Sequence, residues 1–62
     1  MKVTLKDGSS KEYASSMTIF DIAMDISEGL ARVAVAGEVD GKVTDLRTTL
    51  TDDCTLNIER WK

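Results

Sequence analysis

The feature that most constrains the fold of this sequence is an amphipathic segment that begins near Met17 and reaches a glycine at Gly29. At 3.6 residues per turn, a helix here places four apolar side chains on one stripe and two carboxylates on the opposite side. Thr18 has the side chain of an N-cap, and Gly29 is predicted to end the helix, followed by a short turn back to the core at Leu30 and Ala31. The stripe consists of Ile19, Ile22, Ala23 and Ile26, and the carboxylates are Asp21 and Asp25.

Two Asp-Gly pairs, Asp7-Gly8 and Asp40-Gly41, each lie between stretches with the alternation or the β-branched residues of strands. Aspartate and glycine tolerate the positive φ angles that both central positions of a tight hairpin turn require. We therefore expect two hairpins, one on each side of the helix. The predicted strand pairs are residues 2–6 with 11–14 and residues 33–39 with 42–46.

A final alternating stretch follows the polar turn Thr51-Asp52-Asp53 and ends at Glu59. Its inward side chains are expected to be Cys54, Leu56 and Ile58. The order strand, strand, helix, strand, strand, strand predicts an α+β domain in which one main helix packs across a mixed sheet of about five strands. The β-grasp (ubiquitin-like) arrangement fits this order if the last strand lies parallel to the first in the centre of the sheet. A ferredoxin-like fold needs a second helix, for which residues 42–53 are too rich in threonine and aspartate.

Composition restricts the chemistry that this chain can carry out. It has 62 residues, with 11 acidic and 8 basic side chains, one cysteine and no histidine. A single cysteine forms no internal disulfide, and a cysteine-histidine zinc site needs about four such ligands. The net charge of −3 argues against strong binding to RNA or DNA, because basic side chains supply most of that affinity. No apolar stretch approaches the roughly 18 residues of a membrane helix, so we expect a cytoplasmic domain without contact to a membrane.

Candidate catalytic or metal-binding groups are few, and each has a simpler structural explanation. Cys54 has no histidine to activate it and is interpreted as a core residue. Asp52 and Asp53 could hold a cation, but a solvated turn is the better interpretation. Asp21 and Asp25 lie on the helix face that we predict to be solvated. The glycines form no phosphate-binding motif, so we expect no catalytic, cofactor or metal site in these residues.

Two groups of side chains are candidates for contact with a partner. Phe20 and Met24 flank the helix stripe, and Trp61 either covers the core or forms a junction to further protein; these three are predicted to contact protein. The candidates for contact with RNA are outward lysines of the first hairpin, Lys2, Lys6 and Lys11. Beside Tyr13 and Trp61 they could hold phosphates and bases, although scattered solubilising lysines explain them as well. Contact with RNA is expected to be weak and salt-dependent.

In their order and spacing, several short segments resemble the TGS domain, which occurs in threonyl-tRNA synthetases, certain GTPases and alarmone enzymes (RelA/SpoT-type). The segments span nearly the whole chain. They are residues 3–9 (VTLKDGS), 21–23 (DIA), 25–26 (DI), 29–31 (GLA), 36–37 (AG), 39–41 (VDG) and 45–46 (DL). The stretch from Asp25 to Leu46 is most similar to bacterial threonyl-tRNA synthetases, in which this domain begins the chain.

The resemblance implies a β-grasp fold and a non-catalytic module, residues 1–62, at the N-terminus of a larger cytoplasmic enzyme that joins threonine to its tRNA using ATP. The ATP, Mg²⁺ and zinc sites of such a synthetase lie in later domains, and no family motif assigns a ligand site to these residues. The implied partners are the remaining domains of the synthetase and, weakly, tRNA. The alternatives are a regulatory module of a GTPase or alarmone enzyme, or a free-standing β-grasp binding protein.

Overall fold

The computed structural model describes residues 1–61, so Lys62 lies outside the described residues. In chain order the elements are β1 (Lys2–Leu5), β2 (Ser10–Glu12), β3 (Met17–Thr18), α1 (Ile19–Ile26), α2 (Glu28–Val33), β4 (Ala34–Val39), β5 (Lys42–Thr44), β6 (Thr49–Leu50) and β7 (Cys54–Arg60). Neither α1 nor α2 is long and apolar enough to cross a membrane.

A mixed five-stranded sheet forms one layer of the molecule, with the strand order β2-β1-β7-β4-β5. The first and second hairpins are β1 with β2 and β4 with β5, both antiparallel. β7 lies between the hairpins, parallel to β1 and antiparallel to β4. The predicted β-grasp arrangement is therefore confirmed, including the parallel pairing of the last strand with the first.

The core forms where α1 packs across this sheet. Ile19, Ile22 and Ala23 of the predicted stripe are fully buried, and Ile26 is half-buried beside them. The buried core cluster consists of Val3, Ile19, Ile22, Leu50 and Leu56. Thr18 caps α1 as predicted, because its Oγ1 accepts a hydrogen bond of 3.0 Å from the backbone N–H of Asp21.

The end of α1 differs from the prediction. Ser27 adopts extended backbone with φ −167° and donates its N–H to Ala23 O, which ends α1. The Ser27 hydroxyl then accepts a hydrogen bond of 3.3 Å from the N–H of Leu30 and begins α2. The prediction that Gly29 ends the helix, with Leu30 and Ala31 in a turn, is wrong because this serine ends one helix and caps the next.

The second Asp-Gly pair forms the predicted tight turn, but the first does not. Asp40 and Gly41 both have positive φ, 50° and 88°, and join Val39 to Lys42 directly. In the first hairpin only Gly8 has positive φ, 95°. Its N–H donates to Leu5 O over 3.0 Å, and the N–H of Leu5 donates to Ser9 O over 2.7 Å, so residues 6–8 form a three-residue connection, one residue longer than the predicted turn.

A short ribbon of β3 and β6, which the sequence patterns did not predict, fixes the start of α1. The pairs in this ribbon are Met17 with Leu50 and Thr18 with Thr49. The next backbone N–H groups, of Ile19 and Phe20, donate to the carbonyl oxygens of Thr48 and Leu46 over 3.1 and 2.9 Å. These carbonyl groups satisfy N–H donors of the first helical turn that have no partner within a helix.

Candidate functional site

Phe20 and Met24 form an exposed apolar pair on α1. These residues are 42% and 43% exposed, and their spacing of four residues makes them neighbours on the helix surface. The backbone of Phe20 is fixed by its hydrogen bond to Leu46 O. Exposed apolar side chains of this kind are typical of surfaces that a partner covers. Their contact with a partner stays a prediction.

Trp61 lies away from the core at the end of β7. It is 75% exposed, so the alternative that it covers the core is wrong. Its backbone N–H donates to Val33 O over 2.7 Å, which continues the pairing of β7 with the start of β4. The three predicted protein contacts therefore belong to two elements, with Phe20 and Met24 on α1 and Trp61 next to β7. Contact of Trp61 with a partner stays a prediction.

The lysines of the first hairpin do not share one face. Lys11 pairs with Val3 across the hairpin, and directly opposed residues of two strands point to the same side of a sheet. Since Val3 is buried in the core, Lys11 lies on the helix side, and the prediction that it points outward is wrong. Lys2 lies on the other face beside Glu12, and Lys6 lies in the connection between β1 and β2. Contact of these lysines with RNA stays a prediction.

Asp25 connects α1 to the first hairpin. Its Oδ2 accepts hydrogen bonds from the Tyr13 hydroxyl over 3.0 Å and from Lys11 Nζ over 3.2 Å. The Tyr13 hydrogen bond, followed by that of Lys11, lowers the pKa of Asp25 below its ordinary 3.8. Partial burial, followed by the bond to Asp25, raises the pKa of Tyr13 to about 12. Asp25 is exposed as predicted, but it binds two donors and is more than a solvated carboxylate.

The face of the sheet that points away from the helices is acidic. Strand alternation and the pairing register place the Lys2 ammonium there together with carboxylates of β2, β4 and β7. These carboxylates belong to Glu12, Glu38 and Glu59. Because an RNA backbone binds cations and is repelled by carboxylates, this face is not the basic surface that stacking on Tyr13 and Trp61 would need.

Cys54 and the aspartates near it have structural contacts. Cys54 is half-buried against the core, which confirms its interpretation as a core residue. Desolvation, with added repulsion from Asp40 and Asp53, raises the pKa of its thiol, so the nucleophilic thiolate is disfavoured. Asp53 Oδ1 accepts a hydrogen bond of 2.7 Å from Lys2 N, and Asp40 Oδ1 accepts one of 2.9 Å from Thr55 N. Within residues 1–61, no group of three or more potential ligands is placed to hold a metal ion.

A cleft of about 310 Å³ opens between the junction of the two helices and strands β1 and β7. The apolar side chains that line it are Leu5, Ile26, Leu30, Leu56 and Ile58. Its polar lining consists of Lys6, Asp7, Asn57 and Arg60. Sequence patterns did not predict this cleft, because three segments that are far apart in the sequence, residues 5–7, 26–30 and 56–60, meet to form it.

Comparisons with known proteins agree with the resemblance seen in the sequence. The family model for the TGS domain matches residues 1–59. A threonine–tRNA ligase of Acetivibrio thermocellus is 59% identical over 58 residues, which is 94% of this chain and 9% of that protein.

Two further threonine–tRNA ligases show the same relationship. That of Clostridium botulinum (strain Eklund 17B) is 53% identical over 94% of this chain and 9% of its own length. That of Clostridioides difficile is 45% identical over 100% of this chain and 10% of its own length. The chain thus spans about a tenth of the length of these relatives. It belongs to the TGS domain family.

Proposed function

We propose that this chain is the TGS module of a threonyl-tRNA synthetase, and that it acts as a non-catalytic docking domain for the rest of that enzyme. The observation that carries the proposal is its 59% identity to a threonine–tRNA ligase over 94% of the chain. The parent enzyme would attach threonine to its tRNA with ATP in the cytoplasm. Its ATP, Mg²⁺ and zinc would be held by domains other than this one.

Docking on protein is supported by the exposed pair on α1. Phe20 and Met24 are each more than two-fifths exposed to solvent, 42% and 43%. Aromatic and methionine side chains are enriched in protein interfaces, where they supply much of the contact energy. We therefore infer that a surface of the remaining synthetase domains covers this pair.

Direct contact with tRNA is the second candidate and is less well supported. The Lys11 ammonium already binds Asp25, and Lys2 shares its face of the sheet with Glu12. Of the three lysines predicted to contact RNA, only Lys6 then remains, and one lysine supplies little affinity because affinity for RNA rises with the number of phosphates neutralised. Any binding of tRNA by this domain alone should be weak and should disappear at a few hundred millimolar salt.

The reading frame that encodes this chain provides the first test. We expect it to continue beyond residue 62 into the editing, catalytic and anticodon-binding regions of a synthetase. A frame that stops at residue 62, or one that joins these residues to a GTPase or alarmone-enzyme region, would replace the proposal with one of the alternatives.

The docking surface can be tested with the isotope-labelled chain and the separately produced remainder of the parent enzyme. Amide signals of α1 should shift on mixing, and Phe20→Ser or Met24→Ser should weaken the binding. Val43→Ser is a matched control, because Val43 is also apolar and is 72% exposed, but lies on the edge strand β5. Equal loss of binding in all three variants, or shifts confined to the first hairpin on adding tRNA instead, would contradict docking through α1.

A further inference from the structure

The central strand β7 is only partly covered by its neighbours. Its ladder with β1 ends at the pair Leu5–Leu56, whereas its ladder with β4 continues to the pair Ala34–Arg60. After Leu5 the chain turns away towards β2, as the hydrogen bond from Gly8 N to Leu5 O shows. Residues 57–60 of β7 therefore have a paired strand on one side and an open edge on the other.

The backbone groups that face this open edge can be identified. Thr55 O accepts from Asp40 N over 2.9 Å, and Trp61 N donates to Val33 O over 2.7 Å, both towards the β4 side. Backbone groups of successive residues in a strand alternate in direction. The N–H and C=O groups of Ile58 and Arg60 consequently point to the open side, where the described residues supply no strand partner. Such an edge is a template for another strand.

The cleft beside this edge has an apolar floor. Ile26 and Leu30 of the two helices and Ile58 of β7 line it. A strand laid along the open edge would direct every second side chain to the helix side of the sheet. The volume of about 310 Å³ is at the lower limit of known ligand pockets, so it suits a single aliphatic side chain with its flanking backbone.

The charges at the cleft favour an acidic occupant, although the chain as a whole has a net charge of −3. Within residues 1–61, Lys6 and Arg60 form no ion pair, whereas Lys11, Arg32 and Arg47 each bind a carboxylate. The one carboxylate of the lining, that of Asp7, already accepts hydrogen bonds from the N–H and hydroxyl of Ser9 over 2.9 and 2.6 Å. Two cations that are unpaired within the described residues thus border an apolar floor.

We propose that this cleft binds an extended segment of a partner protein, of the form Glu-x-Leu-x-Glu, as an extra strand beside Ile58 and Arg60. The leucine would enter the apolar floor. With the leucine beside Ile58, the residue two positions further along the peptide lies beside Arg60, because Arg60 follows Ile58 by two residues on the same face. A glutamate at that position would meet the Arg60 guanidinium. The glutamate on the other side of the leucine would lie towards Lys6. This surface is separate from the Phe20 and Met24 pair, and its ligand need not belong to a synthetase.

The probe for this proposal is the capped peptide acetyl-Glu-Thr-Leu-Thr-Glu-amide, titrated into the isotope-labelled 62-residue chain. Amide signals of Lys6, Leu30, Ile58 and Arg60 should shift, and the amide hydrogens of Ile58 and Arg60 should exchange with solvent several-fold more slowly. Two control peptides, with lysine in place of both glutamates or serine in place of leucine, should bind at least about tenfold more weakly.

Matched variants of the chain complete the test. Arg60→Gln should weaken binding about tenfold, whereas Lys42→Gln should leave it unchanged, because Lys42 is exposed on the far edge strand β5 and forms no ion pair within residues 1–61. Equal binding of the lysine peptide, or shifts without slower exchange at Ile58 and Arg60, would overturn strand addition, as would an absence of any shift. None of these results would affect the proposed function, which is tested through the reading frame and α1.

Discussion

Substitution of Gly37 by alanine tests how closely α1 approaches the sheet. Gly37 lies on β4 opposite Ile58. A Cβ atom at Gly37 would lie 2.7 Å from Cγ2 and 3.0 Å from Cδ1 of Ile19, and 3.3 Å from Cδ1 of Leu56. Ile19 and Leu56 are both fully buried, and the β-branched Ile19 has essentially one χ1 rotamer in a helix. The new methyl group must therefore displace α1.

The size of the effect follows from two opposing contributions. Overpacking a core with one methyl group costs about 1–3 kcal/mol. Replacing glycine by alanine restricts the unfolded chain and returns about 0.4–1 kcal/mol. We expect Gly37→Ala to lower the free energy of unfolding by about 1.3 kcal/mol, the midpoint of a range of about 0–2.6 kcal/mol. That is a large share of the roughly 3–5 kcal/mol that a core of this size supplies.

Gly29→Ala is the matched control, with the opposite expected sign. Gly29 lies inside α2 without positive φ, and its Cβ would meet only Ser27 Oγ at 3.6 Å. Alanine should therefore stabilise the chain by about 0.5–1 kcal/mol. Urea unfolding is best followed by far-ultraviolet circular dichroism, because Trp61 is 75% exposed and its fluorescence reports little of the core. A Gly37→Ala chain at least as stable as the parent would refute the packing described here.

Three further predictions concern other parts of the structure. Ile22→Ala should cost about 2–5 kcal/mol in urea unfolding, because Ile22 is fully buried; a cost no larger than that of exposed Asp21→Ala would contradict the helix orientation. Ser27→Ala should cost about 1 kcal/mol through loss of the α2 cap, measured in the same way, and an unchanged midpoint would speak against that cap. The single tyrosine, Tyr13, should ionise near pH 12 in an absorbance titration. Its pKa is raised on folding, so its contribution to stability is complete below pH 10 and is lost as the pH rises to about 12. Asp25→Asn should lower the midpoint of this tyrosine titration. An unchanged midpoint would show that the hydrogen bond to Asp25 does not raise the pKa of Tyr13.

Local patterns were sufficient for several elements that depend on neighbours in sequence. The Thr18 cap, the buried stripe of α1 and the Asp40-Gly41 turn all follow from residues within a few positions of each other. The alternation of β7 predicted correctly which of its side chains face the core. The order of these elements was compatible with a β-grasp arrangement, but the parallel pairing of β7 with β1 followed only from the resemblance to the TGS domain.

The wrong predictions concern positions where two signals competed or where a register had to be known. Glycine is common at helix ends, which favoured Gly29, but Ser27 two residues earlier ends one helix and caps the next. Lys11 was predicted to point outward, which is the face that a two-residue turn at Asp7-Gly8 would give it. The longer connection changes the register, and a shift by one residue moves every side chain of a strand to the other face. That single difference brings the Lys11 ammonium to Asp25.

The open edge of β7 arises from a difference in strand length that sequence patterns do not reveal. The predicted strands over residues 2–6 and 54–59 are nearly equal in length, and two paired strands of equal length leave neither with an unpaired edge. In the structure β1 has 4 residues and β7 has 7, because the first connection begins directly after Leu5. The unpaired part of β7 then lies in the centre of the sheet, where β4 holds it extended on one side. Because β4 already holds residues 57–60 extended, these residues lose little conformational entropy when a peptide pairs with them. A short acidic segment that offers few hydrogen bonds is therefore sufficient for the proposed binding.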